Sequence, residues 1–287
     1  MKKPQWITIG IAVVLTATIF LFGKTVSKKK NIPGTSTAEH TTDDGHDHGT
    51  VSIDTILAIS KKSLSNEQVV RLNTLENSIS RGDVKDQQLH VYHQLARFWA
   101  DSAHVFEPFA WYTAEAARLE NSEKNLTFAA QLFLDNLQND EVEQRRQWKA
   151  LQAKELFERS LSINPDNDSA KVGLGACYLF GNISSNPMEG IAKIRQVVEK
   201  DSTNVYAQLT LVKGSLLSGQ YDKAIGRLQT VIRLQPDNVE ATFLLADLYE
   251  RTGDKKSAVT WYQKSLQFVK LPEARKEIEK RIEELRK

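Results

Sequence analysis

The sequence predicts an all-α protein: a right-handed α-solenoid of helix–turn–helix repeats that follows an N-terminal transmembrane helix. Three observations support this prediction. The C-terminal two thirds repeat a pattern of small and large residues with a period of about 34, which is typical of stacked helical hairpins. Ala, Leu, Glu, Lys and Gln are abundant, and these residues lose little freedom in a helix. An uncharged apolar run lies near the N-terminus.

Residues 6–23 form this apolar run, and none of them is charged. As a helix the run would be about 27 Å long, which is close to the hydrocarbon thickness of a bilayer. Trp6 stands at one end, where an indole favours the membrane interface, and lysines flank both ends. A cleaved signal peptide is the alternative, but no small-residue cleavage site follows the run. We therefore predict a basic tail over residues 1–5 and an uncleaved single-pass anchor over residues 6–23.

The charges that flank the apolar run give little indication of which side of the membrane carries the repeats. Lys2 and Lys3 precede the apolar run and four lysines follow it, so the positive-inside rule gives almost no preference. A short basic tail before one span, with a large domain behind it, more often exports that domain. We therefore expect a bacterial inner membrane, with the repeats on the periplasmic side.

Residues 24–50 predict a flexible linker, because they are polar, lack apolar periodicity and contain Pro and Gly. His40, His46 and His48 lie among aspartates there, and imidazole with carboxylate can ligate zinc, copper or nickel. A flexible segment loses entropy when it closes around a metal, and nothing in the segment fixes a second shell. A solvated linker is therefore favoured over a metal site at these three histidines.

The repeat pattern is clearest near the C-terminus. Ala224, Leu228, Val231 and Pro236 are separated by four, three and five residues, and the same spacing begins again at three other small residues, Ala153, Gly190 and Ala258. Two glycines, Gly219 and Gly253, lie 34 residues apart at the expected turns between helices. The spacing predicts consecutive hairpins in one register.

This pattern resembles the tetratricopeptide repeat, and the segment from Gly219 to Ala224 resembles the hairpin turn of that family closely. The family alternates two antiparallel helices, with small residues where helices cross and large ones in the gaps. Pro165 and Pro236 would end a second helix, since proline cannot continue the hydrogen-bond ladder. Asp166-Asn167 and Asp237-Asn238 would then supply capping side chains for the next helix.

The resemblance implies about five repeats over residues 89–270. Residues 168–204, 205–238 and 239–270 form the clear copies, while 89–122 and 123–167 are degenerate, the latter with a long connection over 138–147. Capping helices are expected at 51–88 and 271–287, because each hairpin buries its face only against neighbours. The last helix places Ile278, Ile282 and Leu285 on one face, and Glu277 and Arg281 at ion-pair spacing.

No catalytic constellation is present in the sequence, which lacks a Gly-rich phosphate loop, a His-Glu-x-x-His motif and a nucleophile elbow. His90 and His93 share a helical face, where a solvated or partner-facing surface is favoured over a metal or acid–base pair. Cys177 lies in an apolar helical pattern and is expected to be a buried structural thiol. A formal net charge of +2 gives no basic field for nucleic acid. We expect no catalytic residue, cofactor, nucleic-acid partner or small-molecule substrate.

In tetratricopeptide domains the first helices of successive repeats line a concave groove that holds a partner. The resemblance places these residues there: Val172, Ala176, Leu179, Phe180, Tyr206, Leu209, Lys213, Leu216, Phe243, Asp247 and Glu250. They predict an apolar floor with an acidic far end, which suits an extended or helical segment offering apolar anchors and a basic residue. The alternative is that Leu179, Phe180 and Leu216 belong only to the core.

Three functional hypotheses follow. The first is a membrane-anchored scaffold that binds a protein or peptide partner and catalyses nothing. The second is a chaperone of the cytochrome c maturation type, which rests on shared architecture alone. The third is an enzyme or a metal-handling protein that uses the His-rich linker or the face with His90 and His93. Binding of a chaperone's terminal carboxylate is not expected, since only Lys213 could contribute to such a clamp.

Overall fold

The computed structural model describes residues 51–79 and 84–287, and every regular element in these ranges is helical. The predicted tail, anchor and linker, with His40, His46 and His48, lie outside the described residues. Of the described helices, none combines the length and the hydropathy that crossing a bilayer requires.

The helices follow one another with short connections. They are α1 (Ile53–Lys61), α2 (Asn66–Ile79), α3 (Lys85–Arg97), a π-helical turn (Phe98–Ala103), α4 (Phe106–Glu120), α5 (Glu123–Leu137), α6 (Glu143–Ile163), α7 (Asp168–Phe180), α8 (Met188–Lys200), α9 (Val205–Leu217), α10 (Tyr221–Leu234), α11 (Val239–Arg251), α12 (Lys255–Ser265) and α13 (Pro272–Arg286). Their division into five repeats with terminal caps stays a prediction.

The packing is local along the chain. The most extensive helix–helix contacts join α5 with α6, α7 with α8, α9 with α10 and α11 with α12. Further contacts join alternate helices, α5 with α7 and α7 with α9. The first helices of three successive pairs, α5, α7 and α9, are therefore neighbours and form a continuous helical face.

Asparagine caps begin the first helices of three pairs. The side-chain oxygens of Asn167, Asn204 and Asn238 accept hydrogen bonds from the backbone N–H three residues later, at 2.9, 3.0 and 2.8 Å. Each cap satisfies one backbone donor that the helix itself leaves unpaired, which is worth about 1 kcal/mol. The predicted caps at Asn167 and Asn238 are confirmed, and Asn204 adds a third.

The turn glycines adopt the backbone conformation that the pattern requires. Gly219 and Gly253 have φ angles of +68° and +85°, in the left-handed region that side-chain-bearing residues rarely adopt. Both residues close the tight turn that joins the two helices of a pair.

Glycine also sets the closest helix crossing. A Cβ atom built on Gly190 of α8 would lie 2.3 Å from the carbonyl oxygen of Gly175 on α7, and the reverse distance would be 2.7 Å. These values are below van der Waals contact, so the backbones of α7 and α8 meet where neither residue has a side chain.

The predicted long connection over residues 138–147 is wrong, because α6 already begins at Glu143. The buried Asp140 carboxylate explains the early start, since it accepts a hydrogen bond from the Val142 N–H at 3.0 Å. It also pairs with Arg145 and Lys149 on the first turns of α6, at 2.5 and 2.6 Å. These contacts hold the first turn of α6 in helical conformation.

Both ends of the described chain are packed against the repeats. At the N-terminal side, Gln68 of α2 donates a hydrogen bond to the Ser102 carbonyl at 2.7 Å. At the C-terminal side, Ile278 and Ile282 of α13 are buried in a cluster with Tyr262. Arg281 contacts Glu250 and Glu284 instead of the expected Glu277.

Candidate partner-binding groove

A depression lies where α5, α7 and α9 meet, and we call it the α5–α7–α9 groove. Its lining residues come from three alternate helices and the residue after the first of them: Gln131, Leu134, Asp135 and Gln138 on the α5 side, Ala176 and Phe180 from α7, and Tyr206, Thr210 and Lys213 from α9. Its volume is about 130 Å³. Pockets that hold drug-sized ligands have volumes of roughly 300–1,000 Å³, so the groove matches a protein side chain better than a free small molecule.

Four of the predicted groove residues line this depression: Ala176, Phe180, Tyr206 and Lys213. Ala176 is buried at the floor, while Phe180 and Tyr206 are half-buried. The Lys213 ammonium lies 3.2 Å from the Glu240 carboxylate on α11. The positions that the resemblance predicted thus bring apolar side chains and the ion-paired Lys213 together in the α5–α7–α9 groove.

The α5 wall was missed at the sequence level. Gln131 and Asp135 interact with each other, the Gln131 amide donating to the Asp135 carboxylate at 2.6 Å. The Tyr206 hydroxyl donates to the Gln131 side-chain oxygen at 3.1 Å, and burial raises the pKa of Tyr206 to about 12, so the phenol stays protonated. The small pair Ala129-Ala130 is the sequence feature that could have placed α5 in the same register as α7. Gln131 follows Ala130 as Ala176 follows Gly175.

Val172 does not line the groove, contrary to the prediction. Its side chain is fully buried in a cluster with Ile194 and Val197 of α8 and Leu211 of α9. Because α8 and α9 approach this part of α7 closely, the position faces the core and not the open surface.

Three predicted leucines lie at the seams between helices. Leu179 packs at the edge of the cluster that α7, α8 and α9 share. Leu209 and Leu216 pack at the edge of the next cluster, formed by α9, α10 and α11. All three are partly buried, so they support neighbouring helices and also border the surface.

The carboxylates of the predicted acidic far end form ion pairs with arginines of the same chain. Glu250 contacts Arg281 of α13 and accepts a hydrogen bond from the Tyr262 hydroxyl at 3.0 Å. Asp247 pairs with Arg251 at 2.7 Å. Phe243 remains 42% exposed and packs edge-to-face on Tyr262, with ring centroids 5.7 Å apart. Phe243, Asp247 and Glu250 do not share the α5–α7–α9 groove.

The two histidines and the cysteine that the sequence singled out lie beside residues of the same chain. The His90 ring lies 3.0 Å from the Gln94 amide, and the His93 ring lies 3.5 Å from the Glu120 carboxylate. Over residues 51–79 and 84–287, no group of three His, Cys, Asp or Glu side chains is arranged to hold a metal ion. Cys177 is fully buried, as predicted, and burial raises the pKa of its thiol.

Comparisons with known proteins agree with the repeat pattern. A family model described as tetratricopeptide repeat matches residues 215–273, from the last turn of α9 to the start of α13. No curated protein matches the sequence.

Several solved structures are similar to this chain. A MamA protein, residues 41–end, from Desulfovibrio magneticus RS-1 is 20% identical, with 65% of this chain and 96% of that chain covered and a TM-score of 0.44. YrrB, described as a TPR protein with an unusual peptide-binding site, is 15% identical, with coverages of 72% and 97% and a TM-score of 0.42. TTC0263, a thermophilic TPR protein of Thermus thermophilus, is 16% identical, with coverages of 70% and 98% and a TM-score of 0.47.

The family assignment therefore rests on the matched segment and on the chain's own paired helices, with their turn glycines and asparagine caps. This chain contains tetratricopeptide repeats, matched over residues 215–273.

Proposed function

We propose that this protein is a membrane-anchored scaffold that binds a segment of a partner protein in the α5–α7–α9 groove and catalyses nothing. The observation that supports this proposal is the convergence of three alternate helices on one side-chain-sized depression. Apolar and hydrogen-bonding groups alternate within it, which is the composition of a peptide-recognition surface.

The groove chemistry defines the segment that would fit. Leu134 and Phe180 offer apolar contact, while Gln131, Gln138 and Tyr206 offer groups that bind peptide amides. Asp135 is exposed, and its carboxylate accepts a hydrogen bond from the neutral Gln131 amide. The fitting segment therefore has an apolar anchor for Phe180 and a lysine or arginine for Asp135.

Site-specific photocrosslinking in cells tests the binding surface. A photoreactive phenylalanine derivative replaces Gln138 at the groove rim in the full chain, and a matched derivative replaces Glu158 on an exposed part of α6. We expect a defined partner band from position 138 and none from position 158, with the partner identified by mass spectrometry. Equal labelling from both positions would contradict the proposal.

A second pair of variants tests the anchor residue. Phe180→Ala should lower the crosslink yield from position 138 about tenfold, as expected for a side chain at the centre of an interface. Phe128→Ala is the control, because Phe128 is 61% exposed on α5 and lies outside the groove. Circular dichroism of both variants checks that the helices are intact. An unchanged yield in Phe180→Ala would exclude this groove as the binding surface.

The anchor and the periplasmic location are part of the proposal. The apolar run over residues 6–23 supports the anchor, and the short basic tail before it, with a large domain behind it, supports the location. Protease treatment of intact cells and of spheroplasts tests both. We expect digestion of the repeats in spheroplasts only, with the chain remaining in the membrane fraction. Protection of the repeats in spheroplasts would place them on the cytoplasmic side.

A further inference from the structure

A second depression lies on a different face of α9, between α8 and α10, and we call it the α8–α10 cleft. Its lining residues are Met188, Ile191 and Arg195 from α8, Leu211, Gly214, Ser215 and Ser218 from α9 and its cap, and Gln220, Lys223 and Arg227 from α10 and its cap. Its volume is about 240 Å³. Small side chains form the floor, and longer cationic side chains rise from the helices on either side.

The cleft is positively charged, because three cations and no carboxylate line it. Lys223 donates a hydrogen bond to the neutral Gln220 side chain at 2.6 Å. Arg227 donates to the neutral Gln208 side chain at 2.8 Å. Within the described part of the chain, neither cation has a carboxylate at ion-pair distance.

Arg195 adds the third charge from the opposite wall. Arg195 pairs with Glu199 at 3.9 Å, but both side chains are exposed, and such a pair contributes little. Burial, and then repulsion from Arg195, lower the pKa of Arg227, although a guanidinium remains protonated at neutral pH. Two like charges are therefore held near each other without a compensating anion.

The occupant of such a cleft is an anion of matching size and charge. We propose that the α8–α10 cleft binds a phosphate group, held between Arg195 on one wall and Lys223 and Arg227 on the other. Guanidinium groups bind phosphate oxygens through paired N–H donors, and three cations match a dianion better than a single carboxylate. The apolar lining residues Met188, Ile191 and Leu211 would contact the carbon part of a phosphate ester.

Calorimetric titration of the full chain at low ionic strength tests this site with three probes: inorganic phosphate, O-phosphoserine and glycerol 3-phosphate. We expect one saturable site per chain. Arg227→Gln and Lys223→Gln should each weaken binding about tenfold or more, because each removes a charge-assisted hydrogen bond. Arg233→Gln is the matched control, since Arg233 is exposed on the same helix outside the cleft, and should change affinity less than about twofold.

The source of the phosphate is distinguished by the ranking of the probes. Tighter binding of O-phosphoserine would support the site with a phosphorylated protein as partner, and tighter binding of glycerol 3-phosphate would support it with a lipid headgroup. No saturable binding of any probe would overturn the proposal, as would an equal loss in Arg233→Gln. Succinate is titrated separately as a dicarboxylate control, and binding as tight as that of the phosphates would overturn the assignment of ligand class. Arg195→Ala, checked by circular dichroism, provides an independent variant from the other wall.

Discussion

Lys149 shows how one residue joins three helices. Its side chain is buried, with 1% exposure, and its ammonium contacts Asn136 and Asp140 at 2.6 Å and Glu107 at 2.8 Å. The ammonium donates hydrogen bonds to Asn136 and Asp140 and forms an ion pair with Glu107. Because Glu107 lies on α4 and Asn136 on α5, the residue links both helices to α6.

Replacing Lys149 with methionine should destabilise the protein by about 3–5 kcal/mol, because the buried Asp140 carboxylate and the partly buried Glu107 carboxylate lose a partner. The measurement is the free energy of unfolding from urea titration. Lys154→Met is the control, since Lys154 pairs with Glu158 on the surface of the same helix, and should cost less than about 1 kcal/mol. Similar costs in both variants would show that the buried cluster contributes little.

Asp140 should make part of the stability dependent on acid pH. Burial alone would raise the pKa of Asp140, but hydrogen bonds from Arg145 and Lys149 outweigh burial and hold that pKa below its usual range. Such a carboxylate stabilises the fold fully above its unfolded pKa of about 3.9, and this contribution is lost as the pH falls toward the folded pKa. In urea titrations from about pH 5 to pH 2.5, Asp140→Asn should show a shallower decline than the wild type. Parallel curves would contradict this assignment.

At the scale of elements, α7 and α8 depend on a crossing that leaves no room for a side chain. Gly175 and Gly190 each place a backbone carbonyl where a Cβ atom of the other would lie. In the repeat pattern Gly190 holds the place of Ala224 in the next pair. The crossing of α9 and α10 thus has room for the methyl group of Ala224, whereas the crossing of α7 and α8 requires glycine on both helices.

Gly190→Ala should therefore cost about 1–3 kcal/mol, because α7 and α8 must move apart. Gly226→Ala provides the opposite case on α10, since a Cβ atom there would meet nothing within 4 Å. That change should stabilise the protein by about 0.5–1 kcal/mol through helix propensity. The free energy of unfolding, measured by chemical denaturation, should decrease for Gly190→Ala and increase for Gly226→Ala. Destabilisation by Gly226→Ala of the same size would refute the steric explanation for Gly190.

At the scale of the whole molecule, the described chain has a succession of hydrophobic clusters along the sequence and not one central core. One cluster joins α2 to α4, the next α4 to α7, and later ones α7 to α9, α9 to α11 and α11 to α13. Each cluster shares a helix with the next. Stability in such an array is close to a sum of local and nearest-neighbour contributions.

A core deletion should consequently act regionally. Leu228→Ala removes a fully buried side chain from the cluster of α9 to α11 and should cost about 2–5 kcal/mol there. Hydrogen exchange followed by mass spectrometry should show faster exchange in α9–α11, with α3 and α4 keeping their protection. Leu95→Ala, in the cluster of α2 to α4, should give the reverse pattern. A uniform increase along the chain in either variant would indicate one cooperative unit.

The sequence determined the features that depend on neighbouring residues. Asn167 and Asn238 cap helices because their side chains reach a backbone donor three residues away, and Gly219 and Gly253 close turns because of their own backbone freedom. The resemblance to the tetratricopeptide repeat implied a shared groove for Ala176, Phe180, Tyr206 and Lys213, and these four line one depression. These features follow from spacing within one or two helices, which the order of residues fixes.

Only the tertiary structure decided which side chains meet across helices. It buried Val172, added Gln131 and Asp135 to the groove wall, and matched Glu250 with Arg281. It also brought Arg195 and Arg227, which belong to different pairs, to one cleft. The physical reason is that periodicity specifies the buried face of each helix, whereas the distance between helices depends on side chains far apart in the sequence.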